Sequence, residues 1–254
     1  MRSIVEHVQY HLNQRSTRSR VIGPYRFHYS NREEFGRIYH EVFKDHGYRF
    51  EADTDTPRIL DCGSHIGLSV LYFKLLYPNA KITAFEPNPD VFQVLQTNVF
   101  ENGLTDVELV HAAVSDTEGT VPFIVNRDGT RNWTWGASVI PQTWHDPVLN
   151  RVEHVPAVRL APYIGDGVDL LKLDIEGLET AVLVDAGDAL KRVKEIILEF
   201  HGSSANPRND LDTLLRVLDD NGFTYRIEQA SVIVTPDTID RTDPFWLNIY
   251  AKRR

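Results

Sequence analysis

Ile59-Leu60-Asp61-Cys62-Gly63-Ser64-His65-Ile66-Gly67 is the stretch on which the reading of this chain turns. A short apolar run meets an acid, then two glycines four apart, then an amphipathic segment over residues 68–77. That order predicts a strand, a tight turn and a helix. Glycine permits positive φ and lets a ligand approach the backbone closely. The helix that follows aims its free N–H groups at whatever occupies the turn. A second apolar run, 81–85, ends in Glu86. An acid about 20 residues beyond a glycine turn, closing the next strand, suits the hydroxyls of a ribose. The corner is therefore read as a nucleoside site.

The glycine spacing narrows the nucleoside. A dinucleotide fold uses G-x-G-x-x-G with backbone amides around a pyrophosphate. Here the pattern is D-x-G-x-x-x-G, and the Asp61 carboxylate ahead of the turn repels a pyrophosphate and welcomes a cation. Acids before the turn and after the next strand favour S-adenosylmethionine, cationic and free of phosphate, over NAD.

Working outward, strands and helices alternate from Arg58 onward. Strands are predicted over 59–62, 81–85, 107–111, 168–174 and 193–200, and helices over 67–77, 89–101, 178–186 and 211–220. This rhythm predicts an α/β fold with a doubly wound, mostly parallel sheet. Runs at 223–227 and 247–251 are read as antiparallel edge strands, which brings the sheet to seven. Short strands over 120–126, 137–140 and 152–158 interrupt the rhythm and predict a small antiparallel insertion at about 119–158. The insertion holds Trp133, Trp135 and Trp144, which could cover a ligand or form a satellite core.

Ahead of the first strand, residues 1–56 are read as an extension, helical and aromatic, covering the cleft of the Rossmann-like domain at 57–254. Ile4, Val5, Val8 and Leu12 fall at helical spacing, and 33–46 puts Phe35, Ile38, Tyr39, Val42 and Phe43 on one face.

Composition limits the classes open to the chain. Lys+Arg is 27 against 36 Asp+Glu, a formal charge of -9, which argues against a general nucleic-acid binder. The single cysteine, Cys62, cannot close an internal disulfide or build a zinc site alone. There is no apolar run of membrane-spanning length and no apolar signal core. A cytoplasmic protein without membrane attachment is the expectation, with a homodimer compatible and the oligomeric state open.

Ligands of doubly wound sheets sit beyond the carboxyl ends of the strands. Those ends supply Asp61 and Gly63, then Glu86, then His111, Ala112 and Ala113, then Asp174, Glu176 and Gly177, and finally Glu199 and His201. Lys172 and Asp174 share one face of an apolar strand, and a buried lysine there needs a charged partner. Clustered carboxylates raise at least one pKa, which suits a general base, and they equally suit a hard cation such as Mg²⁺.

The nine-residue turn, Ala84-Phe85-Glu86-Pro87-Asn88-Pro89, Leu171-Lys172-Leu173-Asp174-Ile175-Glu176-Gly177-Leu178-Glu179 and Ile197-Leu198-Glu199-Phe200-His201 together resemble the FkbM family of S-adenosylmethionine-dependent methyltransferases, over about 38–225. The K-x-D-x-E-G-x-E run is the specific part; the glycine turn is common to class I methyltransferases. The resemblance implies O-methylation of a hydroxyl on a small-molecule acceptor, a sugar or natural product. On that reading Asp61, Gly63, Ser64 and Gly67 hold the methionine part, Glu86 with Pro87 behind it holds the ribose, and Ala112 and Ala113 flank the adenine. Asp174, Glu176 or His201 takes the acceptor proton. A metal-free form is favoured because Lys172 can neutralise part of the acidic cluster; Mg²⁺ on Asp174, Glu176 and Glu199 is the alternative. The rivals are an NAD(P)-linked oxidoreductase and a non-catalytic nucleotide-binding scaffold.

Overall fold

The central apolar runs are buried on both faces, as parallel strands between two helix layers must be. A computed structural model describes residues 18–126, 137–138 and 150–254. The elements in chain order are β1 (Arg18–Ile22), β2 (Tyr25–Tyr29), α1 (Arg32–Tyr39), β3 (Arg58–Cys62), α2 (Leu68–Leu76), β4 (Lys81–Phe85), α3 (Pro89–Glu101), β5 (Val107–Val110), β6 (Ala113–Val114), β7 (Gly119–Asn126), β8 (Asn150–Val158), α4 (Ala161–Ile164), β9 (Val168–Leu173), α5 (Glu179–Ala186), β10 (Val193–Gly202), α6 (Leu211–Asp220), β11 (Phe223–Gln229), β12 (Val232–Val234) and β13 (Phe245–Arg253).

The main sheet runs β12-β11-β13-β10-β9-β3-β4-β5. Strands β10, β9, β3, β4 and β5 are parallel neighbours, and β13 lies antiparallel between β10 and β11. The seven expected strands are present, and the three-residue β12 adds an eighth at the edge. Strand order reverses between β3 and β9, so the crevice for a ligand opens above their carboxyl ends.

Two apolar clusters lie on the faces of this sheet. One packs Leu60, Leu171, Leu173, Leu198 and Phe200 against Val182, Leu183, Leu214 and Leu218 of α5 and α6. The other packs Ile59, Ile82, Ala84 and Leu170 against Val70, Phe73, Leu95 and Val99 of α2 and α3, with Val42, Tyr48 and Phe50 of the extension. The aromatic residues of the extension are thus mainly core.

The extension begins, among the described residues, with the β1–β2 hairpin. Asn31 caps α1 by accepting from the Glu33 and Glu34 amides. The helix predicted over 33–46 is α1 continued by one wider π turn, His40–Lys44. Such turns recur at functional positions, because the extra residue re-aims side chains. Asn98 on α3 and Asn102, which caps the C-terminal end of that helix, lie one turn apart and grip the backbone of β2. Asn98 Oδ1 accepts from the His28 amide at 2.7 Å, and Asn102 Oδ1 accepts from the Arg26 amide at 2.8 Å. The predicted helix with Ile4, Val5, Val8 and Leu12 lies outside the described residues.

The insertion forms a second sheet, β6-β8-β7, with Ala113, Phe123, Val125 and Val155 as its core. Ser138 bridges to Ile124. Trp133, Trp135 and Trp144 lie outside the described residues, as do residues 139–140 of the strand predicted over 137–140. Among the described residues no helix is long and apolar enough to cross a membrane.

Candidate active site

The turn after β3 is built backbone first. The Gly63 and Ser64 amides both donate to the Phe85 carbonyl, at 3.0 and 2.9 Å, which ties the turn to the end of β4. Gly63 has φ of 82°, and a Cβ there would lie 1.8 Å from the Asp174 carbonyl oxygen. Close packing of two strand ends at the switch point therefore demands this glycine. Gly67 has φ of 92°, and a Cβ would press Leu95 at 2.7 Å.

Asp61 is fully buried beneath the turn. Its Oδ2 accepts from Ser69 Oγ at 2.5 Å, and its Oδ1, without a hydrogen-bond donor, stands 3.5 Å from Lys172 Nζ. Ser64 Oγ donates to the Asp61 carbonyl at 2.8 Å. Lys172 is almost wholly enclosed: Nζ donates to the Gly63 carbonyl at 2.7 Å, stands 3.4 Å from Asp174 Oδ2 and lies over the Tyr48 ring. Burial pushes its pKa down, but Asp174 and Asp61 outweigh burial and hold it above the usual range. The lysine is therefore a fixed cation joining the turn to the acidic rim.

Glu86 also faces the turn. Its Oε2 accepts from the His65 amide at 3.0 Å and its Oε1 from the Asn88 amide at 2.7 Å. Each carboxylate oxygen keeps further acceptor capacity. Burial raises Glu86 to about 7, against the opposing pull of His65 and of the two amides. The Pro87 carbonyl is 3.1 Å from His111 Nε2, whose ring stacks on Phe92. Ala112 is buried at the end of β5, and Ala113 packs within the insertion core.

The ends of β9 and β10 hold the acids. Asp174 and Glu176 lie in the loop after β9, and Glu199 and His201 lie within β10, which runs two residues further than predicted. Glu176 has φ of 59°, the left-handed region. Its carbonyl is held by Ser138 Oγ of the insertion at 2.6 Å, and the next carbonyl, of Gly177, by Asn206 Nδ2 at 2.7 Å. His201 is buried, with Nδ1 at 3.0 Å from Glu179 Oε1 and Nε2 at 3.4 Å from Glu176 Oε2 and 4.0 Å from Glu199 Oε1. Burial lowers its pKa, yet Glu176 and Glu179 together raise it well above the ordinary histidine value. Burial and then Asp174 push Glu199 to about 8, and the same two causes push Glu41, from the π turn, to about 7. At Glu41 the neighbouring Tyr48 side chain works in the opposite direction. Ligand atoms of Asp174, Glu176 and His201 lie within 4.8 Å of one another.

Three participants escaped sequence reasoning. Glu179 was quoted within a motif but given no role; it is fully buried and its oxygens are filled by the Gly177 amide, His201 and Asn209 Nδ2. Glu41 falls within the helix predicted over 33–46 but off its named apolar face, and Tyr48 lies just beyond that helix. Proximity to a predicted rim is not visible from spacing inside the extension.

Comparison with known proteins bears on the family and the fold. The family model described as the methyltransferase FkbM domain matches residues 61–225, more than half of the chain. Methyltransferase sdnD of Sordaria araneosa is 29% identical over 221 residues, covering 76% of this chain and 83% of that protein. The 31-O-demethyl-FK506 methyltransferase FkbM of Streptomyces tacrolimicus is 25% identical, with coverage of 76% and 83%. The hexuronic acid methyltransferase AglP of Haloferax volcanii is 29% identical over 59% of this chain and 58% of its own. Among solved structures, the methyltransferase FkbM of Methylobacillus flagellatus superposes with a TM-score of 0.53 at 17% identity, covering 84% of this chain and 47% of that longer chain, which shows the shared fold. With the matched region running from the Asp61 turn past the β9 and β10 rim, this chain belongs to the FkbM methyltransferase family.

Proposed function

We propose that the protein transfers a methyl group from S-adenosylmethionine to a hydroxyl of a sugar or natural-product acceptor. The observation that carries this reading is the convergence at the β3/β9 switch point of a pyrophosphate-averse turn, a ribose-type acid and a cluster of half-buried carboxylates, Asp174 and Glu176, around buried His201. When bound, S-adenosylmethionine supplies a methyl carbon on a cationic sulfur.

The chain's residues then have these tasks. Asp61, buried beneath the turn with its Oδ1 facing Lys172, anchors the Gly63–Ser64–Gly67 turn, whose close-packed backbone gives the floor for the methionine end. Glu86, preset by two backbone amides, accepts from the ribose hydroxyls. Pro87, Ala112 and Ala113 border the base. The acceptor hydroxyl is aligned toward the methyl carbon and loses its proton to Asp174, Glu176 or His201; alignment to about 3–3.5 Å contributes most of the rate. Glu176 and Glu179 favour the protonated form of His201, so the carboxylates beside it share the base role. The relatives' names support this acceptor class: one acts on a demethylated FK506 and another on a hexuronic acid.

We keep the metal-free form, because Lys172 is paired with Asp174 at 3.4 Å. The spacing of Asp174, Glu176 and His201 favours a second reading, Mg²⁺ held by these three with His201 replacing the Glu199 of the sequence expectation. The test is a screen of hydroxyl acceptors with labelled S-adenosylmethionine after EDTA treatment, with and without added Mg²⁺. Turnover without the cation is expected. Full dependence on Mg²⁺ overturns the metal-free form, and NAD turnover without methylation overturns the whole reading.

A further inference from the structure

The N-terminal extension reaches the cofactor corner at two points that the mechanism above does not use. Asn98 Nδ2 donates both to the His28 carbonyl of β2, at 3.0 Å, and to the Ile66 carbonyl of the turn, at 2.8 Å. One buried side chain thus ties hairpin and turn together. Beside it, Glu34 of α1 is buried at 2% exposure, rare for a carboxylate unless it is paired. Its Oε1 stands 3.5 Å from His65 Nε2. His65 occupies the crest of the turn with φ of 49°, and its amide donates to Glu86 Oε2. The order Glu34–His65–Glu86 is acid, base, acid, running from the extension to the ribose-type carboxylate.

We infer that Glu34 is a positioning residue for the cofactor turn, holding the His65 side chain, and with it the His65 amide on which Glu86 rests, in place so that the Glu86 carboxylate stays aimed at the ribose hydroxyls. The inference rests on the proposed S-adenosylmethionine reading. It assigns the extension a share in cofactor binding, apart from its packing against the core. The charged groups around the pair are Glu34 on α1, Glu86 after β4, and Asp174 and Lys172 at the end of β9. Burial pulls the His65 pKa down, and Glu34 foremost, then Glu86 and Asp174, brings it above the usual value. The His65 charge in turn opposes the burial that lifts Glu86 to about 7. Removing the Glu34 charge therefore lowers the His65 pKa and moves Glu86 ionisation to higher pH.

The experiment measures S-adenosylhomocysteine affinity by calorimetry between pH 6 and pH 9 for wild type, Glu34→Gln, His65→Asn and the double variant. A Glu86 titration displaced upward by about one unit from about 7 weakens binding about fivefold at pH 7 and close to tenfold at pH 6. The difference closes to under twofold at pH 9, where Glu86 is ionised in every form. Both single variants should show this pattern, and the double variant should add little to either. A merely structural role gives a loss that is the same at every pH, and that result overturns the inference, as does wild-type affinity at pH 7 in Glu34→Gln and His65→Asn. If Glu34→Gln does not fold, His65→Asn carries the same test alone. Absence of binding by the wild type at every pH overturns the cofactor reading instead.

Discussion

Glu179→Gln is a near-isosteric change that should damage both stability and turnover. The carboxylate is fully buried and accepts from the Gly177 amide at 3.0 Å, from His201 Nδ1 at 3.0 Å and from Asn209 Nδ2 at 2.5 Å. An amide in its place must turn an NH₂ group toward one of these donors. Facing Asn209, it meets a side chain that cannot flip freely, since Asn209 Oδ1 accepts from Thr180 N and Nδ2 also donates to the His201 carbonyl. Facing the other way, it meets the Gly177 N–H and His201 together. Either arrangement leaves buried donors unmet and strips the imidazolium of a partner. Breaking one side of a buried pair costs about 3–5 kcal/mol. For a chain of this size each kcal/mol lowers Tm by roughly 2–4 °C, so a fall of about 6–20 °C is expected by calorimetry. The lost charge also lets His201 give up its proton at lower pH. The kcat–pH profile should shift toward acid while its maximum drops by about tenfold or more, within the span of general acid–base effects. A variant with wild-type Tm and an unmoved profile would refute the claim that Glu179 orients and charges His201.

Asp174→Asn and His201→Ala should each lower kcat by roughly 10²-fold or more while leaving S-adenosylhomocysteine affinity nearly intact, as measured by steady-state kinetics and calorimetry. Glu86→Ala should weaken that affinity by roughly 1–3 kcal/mol with the fold retained, since ribose hydroxyls lose a charged acceptor. The unliganded protein should lose stability as pH rises. Burial raises the carboxyls of Glu41, Glu86 and Glu199 to about 7, 7 and 8 from 4.5, so the native state keeps protons that the unfolded chain has already released. Their contribution is complete below pH 4.5 and disappears as pH rises through 7–8, so Tm should fall between pH 5 and pH 8.5; a rising Tm would contradict these placements.

Much of the α/β frame was legible because its signals are local. Ile59 to Gly67 carries a strand end, an acid and two turn glycines within nine residues, and 89–101 opens on Asn88-Pro89, a cap followed by a proline at the first helical turn. The eighth strand was missed because the β11–β12 turn uses Ala230 and Ser231, both with positive φ, where sequence reading looks for asparagine or glycine. The hairpin at 18–29 read as an aromatic run because Tyr25, Phe27 and Tyr29 alternate over too few residues to separate strand from core. At the site, residues ending strands were found by the carboxyl-end rule. Glu34 and Glu179 were not, since an acid in the first turns of a helix ordinarily serves the helix dipole, nor was Glu41, which lies in the middle of the helix predicted over 33–46. Only the tertiary approach of α1 and α5 to the strand ends gives them other work.

The central claim is that this corner takes S-adenosylmethionine and not a dinucleotide. Calorimetric titration of the wild-type protein with S-adenosylhomocysteine, and in parallel with NAD, tests it directly. Saturable binding of S-adenosylhomocysteine with a raised Tm, and no heat with NAD, is the predicted result. Binding of NAD with no response to S-adenosylhomocysteine would contradict it.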